Sequence, residues 1–411
     1  MDNTVASIPL VGPGCAERIS RAGARGRELV REQRAVTARN KRMANYPHLA
    51  HIAEYSYKLN VTDVLLGRYR VQGMLGYGSF GSVVRAEDVL TRDVVAVKVL
   101  HKRAGLHRDP RQETRVYDTL VAGCSPRTSL FAEVYGSGVH GDFDCTVFQL
   151  CAVTLCDVLK GHGGFTPLPS RHVCEISYQV VLGVEYLHSL NIIHADVKPD
   201  NIAFKNCDVR SVEILDASGK FRQKNILACT ALCIIDLGSS VYTSRAVPTT
   251  AIIGAPLYRA PEVSLQIPWS IGVDTFAVGC VLAETHLNET LFHPDLYYDW
   301  EHLAMVDRIA GPFPRDFARA IERGRSGVFR LGSKVELIYP PANVRVQKDR
   351  LVAAMQRIKD TKSICARVHD TLLADLLKKL LMPDPSRRFS LAAAARHMYF
   401  AELGKGMRDS P

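Results

Sequence analysis

The order of polar motifs along the chain constrains its fold more than any other feature of the sequence. A glycine-rich turn comes first, and a lysine follows it on the next predicted strand. The segment 194-HADVKPDN-201 then carries an aspartate, a lysine and an asparagine, and a second aspartate opens 236-DLG-238. These residue types supply a general base and hold phosphate groups and metal ions. The pattern predicts a site for phosphate chemistry that is assembled from distant segments.

The residue pattern changes from strand-like to helix-like along the chain. Residues 69–100 are rich in β-branched residues and contain two turn signals, as expected of paired strands. Residues 170–191 instead carry apolar residues at helical spacing, and a similar pattern over 370–382 ends before Pro383. We therefore predict an α+β fold with a small β-rich lobe, a larger helical lobe and a cleft between them.

Composition and charge restrict the class of protein. The 411 residues are 47% hydrophobic and 23% charged, which is typical of a globular protein with one large or two medium domains. No apolar run approaches the roughly 18–20 residues that span a bilayer, so no membrane partner is expected. The first 14 residues lack a secretory pattern, and the eleven cysteines form no CxxC pair, so we expect an intracellular protein.

The net charge of +10 is concentrated at the start of the chain, where residues 1–45 carry +5. This segment has few large apolar residues and is predicted to be a disordered basic arm. Residues 15–45 are a candidate for nuclear import or for binding an acidic partner, which favours the nucleus over the cytoplasm. A solvated, partly helical tail is the alternative. Nucleic-acid binding as the main role depends on this arm alone and is not expected.

The glycine-rich turn lies between two predicted strands, not between a strand and a helix. Its pattern is Gly76-x-Gly78-x-x-Gly81-x-Val83. Glycine lets backbone N–H groups approach phosphate oxygens where a Cβ atom would collide. The placement favours a hairpin that covers a nucleotide over a dinucleotide-binding turn, although the pattern alone is not specific.

Lys98 ends a Val-Ala-Val-Lys motif on the following predicted strand, where its ammonium group could hold the α- and β-phosphates of ATP. Such a lysine needs a carboxylate to orient it, and Glu113 is the first glutamate after it. Val116 and Leu120 follow at helical spacing, so Glu113 is predicted to lie on an amphipathic helix. A surface lysine on an edge strand is the alternative for Lys98, but it does not account for the later motifs.

The catalytic candidates come from the central loop. Asp196 is predicted to accept the proton of a substrate hydroxyl, and Lys198 to neutralise charge on the transferred phosphoryl group. Asn201 and Asp236 are predicted to coordinate magnesium. The expected cofactors are therefore ATP and Mg2+, and the expected partners are protein substrates.

Three further motifs complete the series: 258-YRAPE-262, 273-VDTFAVGC-280 and 384-DPSRRF-389. With them, the chain from about Tyr69 to Phe400 resembles the eukaryotic protein kinase family and, within it, the CMGC group of cyclin-dependent and mitogen-activated kinases. The resemblance implies a bilobal protein kinase fold and protein serine/threonine kinase activity.

Within that group the chain is most similar to the homeodomain-interacting and the dual-specificity tyrosine-regulated kinases. The stretches 146-TVFQLCAVTLCDVLK-160, 166-TPLPSRHV-173 and His194-Ala-Asp196 carry this likeness. It implies that Phe148 is the gatekeeper before the hinge. The predicted nucleotide-binding residues are Leu75, Gly76, Gly78, Gly81, Val83, Ala96, Lys98, Gln149, Cys151 and Thr154. The resemblance also implies that Asp274 braces the catalytic loop and that Glu262 pairs with Arg388.

The expected divisions follow from these assignments. They are a basic arm at 1–45, an N-lobe with its lead-in at 46–150, a C-lobe at 151–403 and a tail at 404–411. The C-lobe is expected to contain inserts at 206–228 and 312–360, the second at the position of a CMGC insertion. Within the first, residues 211–225 are predicted to form a hairpin, either as a tolerated surface insertion or as a docking surface.

Ala195 stands where most kinases carry the arginine that receives an activation-loop phosphate. Ile252 occupies the position of the activation-loop tyrosine that the resembled kinases autophosphorylate. Both halves of the phospho-switch are missing, so we expect activity without activation-loop phosphorylation. Ala255 and Pro256 also depart from the family pattern, which puts full activity and proline-directed choice in doubt. A pseudokinase scaffold is the alternative, although every candidate catalytic residue is present.

Overall fold

The computed structural model describes residues 57, 60, 62–78, 81–101, 111–215, 219–243, 250–293, 298–342 and 344–406. The expected basic arm at 1–45 lies outside these residues, as do most of the lead-in and the last five residues of the tail. No helix of the described residues has the length and apolar character needed to cross a membrane.

A six-stranded sheet contains the glycine-rich turn and Lys98. Its strands are β1 (Val64–Leu65), β2 (Tyr69–Tyr77), β3 (Gly81–Asp88), β4 (Val94–Leu100), β5 (Val134–His140) and β6 (Phe143–Gln149), in the order β1-β2-β3-β4-β6-β5. Strands β1 to β4 are successive antiparallel neighbours. They form one compact unit with Val139–Cys145. The prediction of a strand-rich first part is confirmed.

The second compact unit is mainly helical. It contains the described residues 111–138 and those from Thr146 onward. Its helices are α1 (Gln112–Ala122), α2 (Leu155–Leu159), α3 (Ser170–Ser189), α4 (Pro261–Ser264), α5 (Gly272–Leu287), α6 (Asp299–Ala310), α7 (Arg315–Gly324), α8 (Lys348–Asp360), α9 (Ile364–Arg367), α10 (Thr371–Leu380), α11 (Leu391–Ala394) and α12 (Ala401–Gly406). Helix α1 contacts α3 in this unit, where the Tyr186 hydroxyl donates to the Leu120 carbonyl at 2.9 Å. The N-lobe boundaries of 46–150 stay a prediction.

Helices α3 and α5 form the centre of this unit. Every residue of α5 from Val273 to Thr285 is buried, as expected of a helix that is covered on all sides. Helix α3 buries the stripe that the sequence predicts, which includes Val173, Val180 and Leu187. The predicted helix before Pro383 is also confirmed as α10.

Four short antiparallel strand pairs complete the fold. They are β7 (Ile192–Ile193) with β12 (Val241–Tyr242), β8 (Ile202–Phe204) with β11 (Leu232–Ile234), β9 (Val209–Leu215) with β10 (Phe221–Leu227), and β13 (Phe329–Leu331) with β14 (Val335–Leu337). The β9–β10 pair is the hairpin predicted for the first insert, with seven paired positions. The expected second insert, 312–360, contains α7, β13, β14 and α8. Its origin as a CMGC insertion stays a prediction.

A buried ion pair joins two of the sequence motifs. The Arg388 guanidinium donates to both carboxylate oxygens of Glu262, at 2.7 and 2.9 Å, and both side chains are almost fully buried. Arg388 also donates to the carbonyl oxygens of Gly272 at 2.7 Å and Met382 at 2.8 Å. The pairing that the family likeness implies is therefore present, and it connects the start of α4 with the loop after α10.

We expect Arg388→Met to lower the free energy of unfolding by about 3–5 kcal/mol, because it leaves the Glu262 carboxylate buried without its cation. Chemical denaturation followed by circular dichroism measures this change. The double variant Glu262→Leu with Arg388→Met removes both charges and should recover part of the loss. A single-variant loss below about 1 kcal/mol would contradict a structural role for the pair.

Candidate active site

The loop between β7 and β8 brings three candidate residues into contact. The Lys198 ammonium lies 2.5 Å from a carboxylate oxygen of Asp196. The Asn201 side-chain amide donates to the Asp196 carbonyl at 2.8 Å and to the same carboxylate oxygen at 3.1 Å. The cation and the amide hold the Asp196 carboxylate in one orientation, which a general base needs.

A buried carboxylate from α5 braces this loop. Asp274 accepts the backbone N–H groups of His194 at 2.7 Å and Ala195 at 2.9 Å, and His188 Nε2 lies 3.0 Å from it. Ala195 has a φ of 65°, a left-handed conformation that is unfavourable for a residue with a Cβ atom. The hydrogen bonds to Asp274 stabilise this turn, and the turn sets the direction of Asp196.

The two candidate metal ligands lie at one end of the β8–β11 pair. Ile202 is opposite Ile234, and the next N–H, from Ile235, donates to the Asn201 carbonyl at 2.9 Å. Asp236 is the following residue. The Asn201 Nδ2 group donates to Asp196, so the Asn201 Oδ1 atom is the one that could coordinate a metal ion. One amide oxygen and one carboxylate fit magnesium, which commonly takes one or two protein oxygen ligands together with phosphates and water.

In the sheet, three candidate residues form a row across neighbouring strands. Gly76 on β2 is opposite Val83 on β3, and Val83 is opposite Lys98 on β4. Paired residues point to the same face of a sheet, so Val83 and Lys98 share a face. Lys98 is only 7% exposed and β4 is an inner strand, so the alternative of a surface lysine on an edge strand is wrong.

The three glycines of the turn differ in whether the surrounding structure would leave room for a side chain. A Cβ atom at Gly81 would lie 2.5 Å from the carbonyl oxygen of Val99, so β3 and β4 approach too closely for a side chain there. A Cβ atom at Gly76 would have no described atom within 4 Å, and at Gly78 only the Gly81 carbonyl oxygen, at 3.7 Å. Sheet packing therefore explains Gly81 but not Gly76 or Gly78.

The hinge residues have structural contacts of their own. The Gln149 N–H donates to the Glu133 carbonyl at 2.8 Å, and the Phe148 ring packs against Tyr117 with ring centres 5.5 Å apart. The Thr154 hydroxyl accepts the N–H of Asp157 at 3.1 Å, and the Thr154 N–H donates to the Asp157 carboxylate at 3.1 Å. Thr154 is thus the N-cap of α2, a role that the Thr-x-x-Asp pattern signals. Its predicted position near the ribose stays a prediction.

Cys151 is half-buried and not activated. A hydrogen bond with Cys233 and burial both raise the pKa of its thiol, so little thiolate exists at neutral pH.

The activation segment after residue 250 is held by contacts that the sequence did not reveal. The Arg259 guanidinium donates to the carbonyl oxygens of Ile253 at 3.2 Å and Gly254 at 3.1 Å, and it contacts Asp299 on α6 at 3.2 Å. Trp269 donates its indole N–H to the Ala251 carbonyl at 2.8 Å. These partners are up to 40 positions apart, so no local pattern could have paired them.

A neutral histidine forms a hydrogen bond with the backbone of Arg259. His302 is buried, and burial lowers its pKa to about 4. Its Nε2–H donates to the carbonyl oxygen of Arg259 at 2.8 Å. Because the ring is neutral across the physiological pH range, it adds no positive charge beside the arginine.

Comparison with known proteins agrees with this geometry. The family model described as protein kinase domain matches residues 69–400. The chain therefore belongs to the protein kinase family, whose members transfer the γ-phosphate of ATP to protein hydroxyl groups and use a divalent metal ion. A solved crystal structure of a kinase domain superposes with a TM-score of 0.72 and 21% identity, covering 84% of this chain and 99% of that one, which supports the fold alone.

The curated relatives are named as dual-specificity or serine/threonine protein kinases, and they are members of the CMGC group. Dual specificity protein kinase lkh1 of Schizosaccharomyces pombe is 28% identical over 84% of this chain and 49% of its own length. Serine/threonine-protein kinase AFC3 of Arabidopsis thaliana is 30% identical over 84% of both chains. Dual specificity protein kinase CLK4 of Mus musculus is 30% identical over 82% of this chain and 67% of its own. The CMGC assignment is confirmed, and the pseudokinase alternative is not supported. The finer likeness to homeodomain-interacting kinases stays a prediction.

The two glycines can be separated experimentally. We expect Gly81→Ala to lower the free energy of unfolding by about 1–3 kcal/mol, because its Cβ atom overlaps the β4 backbone. Gly76→Ala should leave stability within about 0.5 kcal/mol of the original protein. Thermal unfolding measures both, and an ATP titration should show weaker nucleotide binding for Gly76→Ala. Equal stability of the two variants would contradict the steric account of Gly81.

Proposed function

We propose that this chain is an ATP- and magnesium-dependent protein serine/threonine kinase that works without a phosphate on its activation loop. The observation that carries the proposal is the arranged loop in which Lys198 and Asn201 contact Asp196 while Asp274 holds the backbone. The names of two relatives state dual specificity for those proteins, and the proposal includes dual specificity in the autophosphorylation of this chain.

The chain's own residues have separate parts in the transfer. The Asp196 carboxylate accepts the proton of the attacking hydroxyl, and Lys198 balances the negative charge that the phosphoryl group carries in transit. Asn201 and Asp236 would hold Mg2+, which neutralises the phosphate oxygens when it is bound. Lys98 and the backbone of the glycine-rich turn would bind the phosphates of ATP, with Glu113 orienting Lys98.

The choice of substrate follows from two positions. Lys198, two residues after the base, is typical of kinases that act on serine and threonine. Pro256 replaces the arginine that favours proline after the target residue in the resembled kinases. We therefore propose serine/threonine substrates without a requirement for proline at the next position.

The basic arm at 15–45 would bind an acidic partner or a nuclear-import partner, which favours a nuclear location.

The Asp196→Asn variant tests the enzyme directly. We expect its phosphate transfer to a peptide library of serine, threonine and tyrosine substrates to fall by about 10²–10⁴-fold, because the amide cannot accept the hydroxyl proton. ATP should still bind with an unchanged dissociation constant in calorimetry, since the side-chain shape is kept.

The control for this test is Asp208→Asn, which removes an exposed carboxylate outside the loop. It should transfer phosphate at the original rate. Equal transfer by the Asp196→Asn variant would reject Asp196 as the base, and no transfer by the unaltered chain would reject the kinase proposal.

The activation segment has no need of a phosphate in this proposal. In other kinases an arginine before the catalytic aspartate binds the phosphate, and Ala195 cannot do so. Here Arg259 and Trp269 bind backbone carbonyls of the segment instead. Backbone carbonyls are permanent acceptors, so these bonds do not wait for a modification.

We expect phosphatase-treated protein to keep its kcat/KM within about twofold, because the contacts to the segment are made without phosphate. Thr250→Ala, which removes an exposed candidate hydroxyl, should behave in the same way. Mass spectrometry verifies that the activation segment is free of phosphate before the assay. A loss of more than about tenfold would show that the segment needs a phosphate.

A further inference from the structure

Three side-chain hydrogen bonds join helix α1 to the first residues of the activation segment. The Gln112 side-chain amide donates to the Ser240 carbonyl. The Thr119 hydroxyl lies 2.8 Å from the Tyr242 hydroxyl, and Tyr242 donates to the carbonyl of Arg115 at 3.2 Å. The helix is therefore attached to residues 240–242 at its first residue and again two turns later.

The Tyr242 hydroxyl, the Thr119 hydroxyl and the Arg115 carbonyl oxygen lie within hydrogen-bonding distance of one another. In the alternative arrangement of the two hydroxyl protons, Thr119 donates to the Arg115 carbonyl at 2.9 Å and the Tyr242 hydroxyl donates to Thr119. The Arg115 carbonyl already belongs to the helix, so the Tyr242 hydroxyl adds a bond to a rigid acceptor. Because the phenol ring has only two rotatable bonds, a hydroxyl on it fixes a position at small entropic cost. Tyr242 is half-buried, which strengthens these bonds relative to exposed ones.

The other side of Tyr242 is attached to the strand before the catalytic loop. Tyr242 in β12 is opposite Ile192 in β7, and the next N–H, from Thr243, donates to the Asn191 carbonyl at 2.9 Å. Strand β7 ends at Ile193, and Asp196 follows three residues later. Tyr242 therefore lies between the helix that carries Glu113 and the strand that leads to the candidate base.

We propose that the Tyr242 hydroxyl is a positioning group that holds helix α1 in register with the catalytic loop. The inference rests on the proposed kinase function and names how that site is kept in a working arrangement without a phosphate. In this arrangement the Tyr242 hydroxyl donates to the Arg115 carbonyl and accepts the hydroxyl proton of Thr119. Glu113 lies half a turn before Arg115 on the same helix and is held with it. Tyr242 contacts neither ATP nor substrate, so its effect reaches the reaction through the helix.

The test compares Tyr242→Phe with Tyr178→Phe in the full chain. Tyr178 is also half-buried, but its ring packs on Phe400, away from α1. We expect Tyr242→Phe to lower kcat about five- to tenfold, as expected for one lost hydrogen bond, and to accelerate amide hydrogen exchange in residues 116–122 by a similar factor. Tyr178→Phe should change neither quantity.

A second set of variants removes the partner hydroxyl. Thr119→Val should reproduce the effects of Tyr242→Phe, and Thr119→Ser, which keeps the hydroxyl, should restore most of the transfer rate. The double variant Thr119→Val with Tyr242→Phe should be no slower than the worse single variant, because both changes break the same link.

The outcomes separate this inference from the kinase proposal. If the unaltered chain transfers phosphate and Tyr242→Phe keeps both its kcat and its exchange rates, the positioning role is wrong while the kinase function stands. Faster exchange of α1 with an unchanged kcat would also overturn it, because the helix would then be attached without consequence for the reaction. No transfer by the unaltered chain rejects the kinase function itself, whatever the exchange data show.

Discussion

A single buried carboxylate determines the geometry of the catalytic loop. Asp274 accepts two backbone N–H groups, from His194 and Ala195, and lies against His188. A buried carboxylate is costly unless its lone pairs are satisfied, so α5 is stable in its covered position only when the loop supplies these donors. The same hydrogen bonds stabilise Ala195 in a left-handed backbone conformation that is unfavourable without them. Burial of the Asp274 carboxylate and orientation of Asp196 are therefore coupled through these two hydrogen bonds.

The activation segment is also held by hydrogen bonds that need no added group. A phosphorylated loop depends on a charge that is added after synthesis, whereas backbone carbonyls are present as soon as the chain folds. Arg259 binds two such carbonyls and Trp269 a third. In the proposed function, Ala195 and Ile252 leave the segment without a phospho-switch, while Arg259 and Trp269 keep its structural support.

Local patterns predicted the features that local physics determines. The spacing after Glu113 predicted a helix, and the strand residues around the Asp-Ala-Ser-Gly sequence within 211–225 predicted a hairpin; both are present. The sequence assigned Gly81 to phosphate binding, but the approach of β3 to β4 is a packing reason that becomes visible only in three dimensions. The contact of Tyr242 with Thr119 joins residues 123 positions apart, and a single sequence contains no signal for such a pair. Order along the chain thus predicts local elements better than it predicts the distant contacts that hold them in place.

The two candidate metal ligands are far apart in sequence, and the strand pairing explains how they can lie close together. Asn201 and Asp236 are 35 positions apart, yet they adjoin the same end of the β8–β11 pair, where Ile202 faces Ile234. The β9–β10 hairpin connects the opposite ends of these two strands, after Phe204 and before Leu232. An insertion there changes the length of the connection but not the register of the pair, and loop closure becomes only slightly more costly with length. Because the pairing of β8 with β11 places Asn201 and Asp236 at the same end of the pair, the length of the hairpin does not affect the proximity of the two candidate ligands.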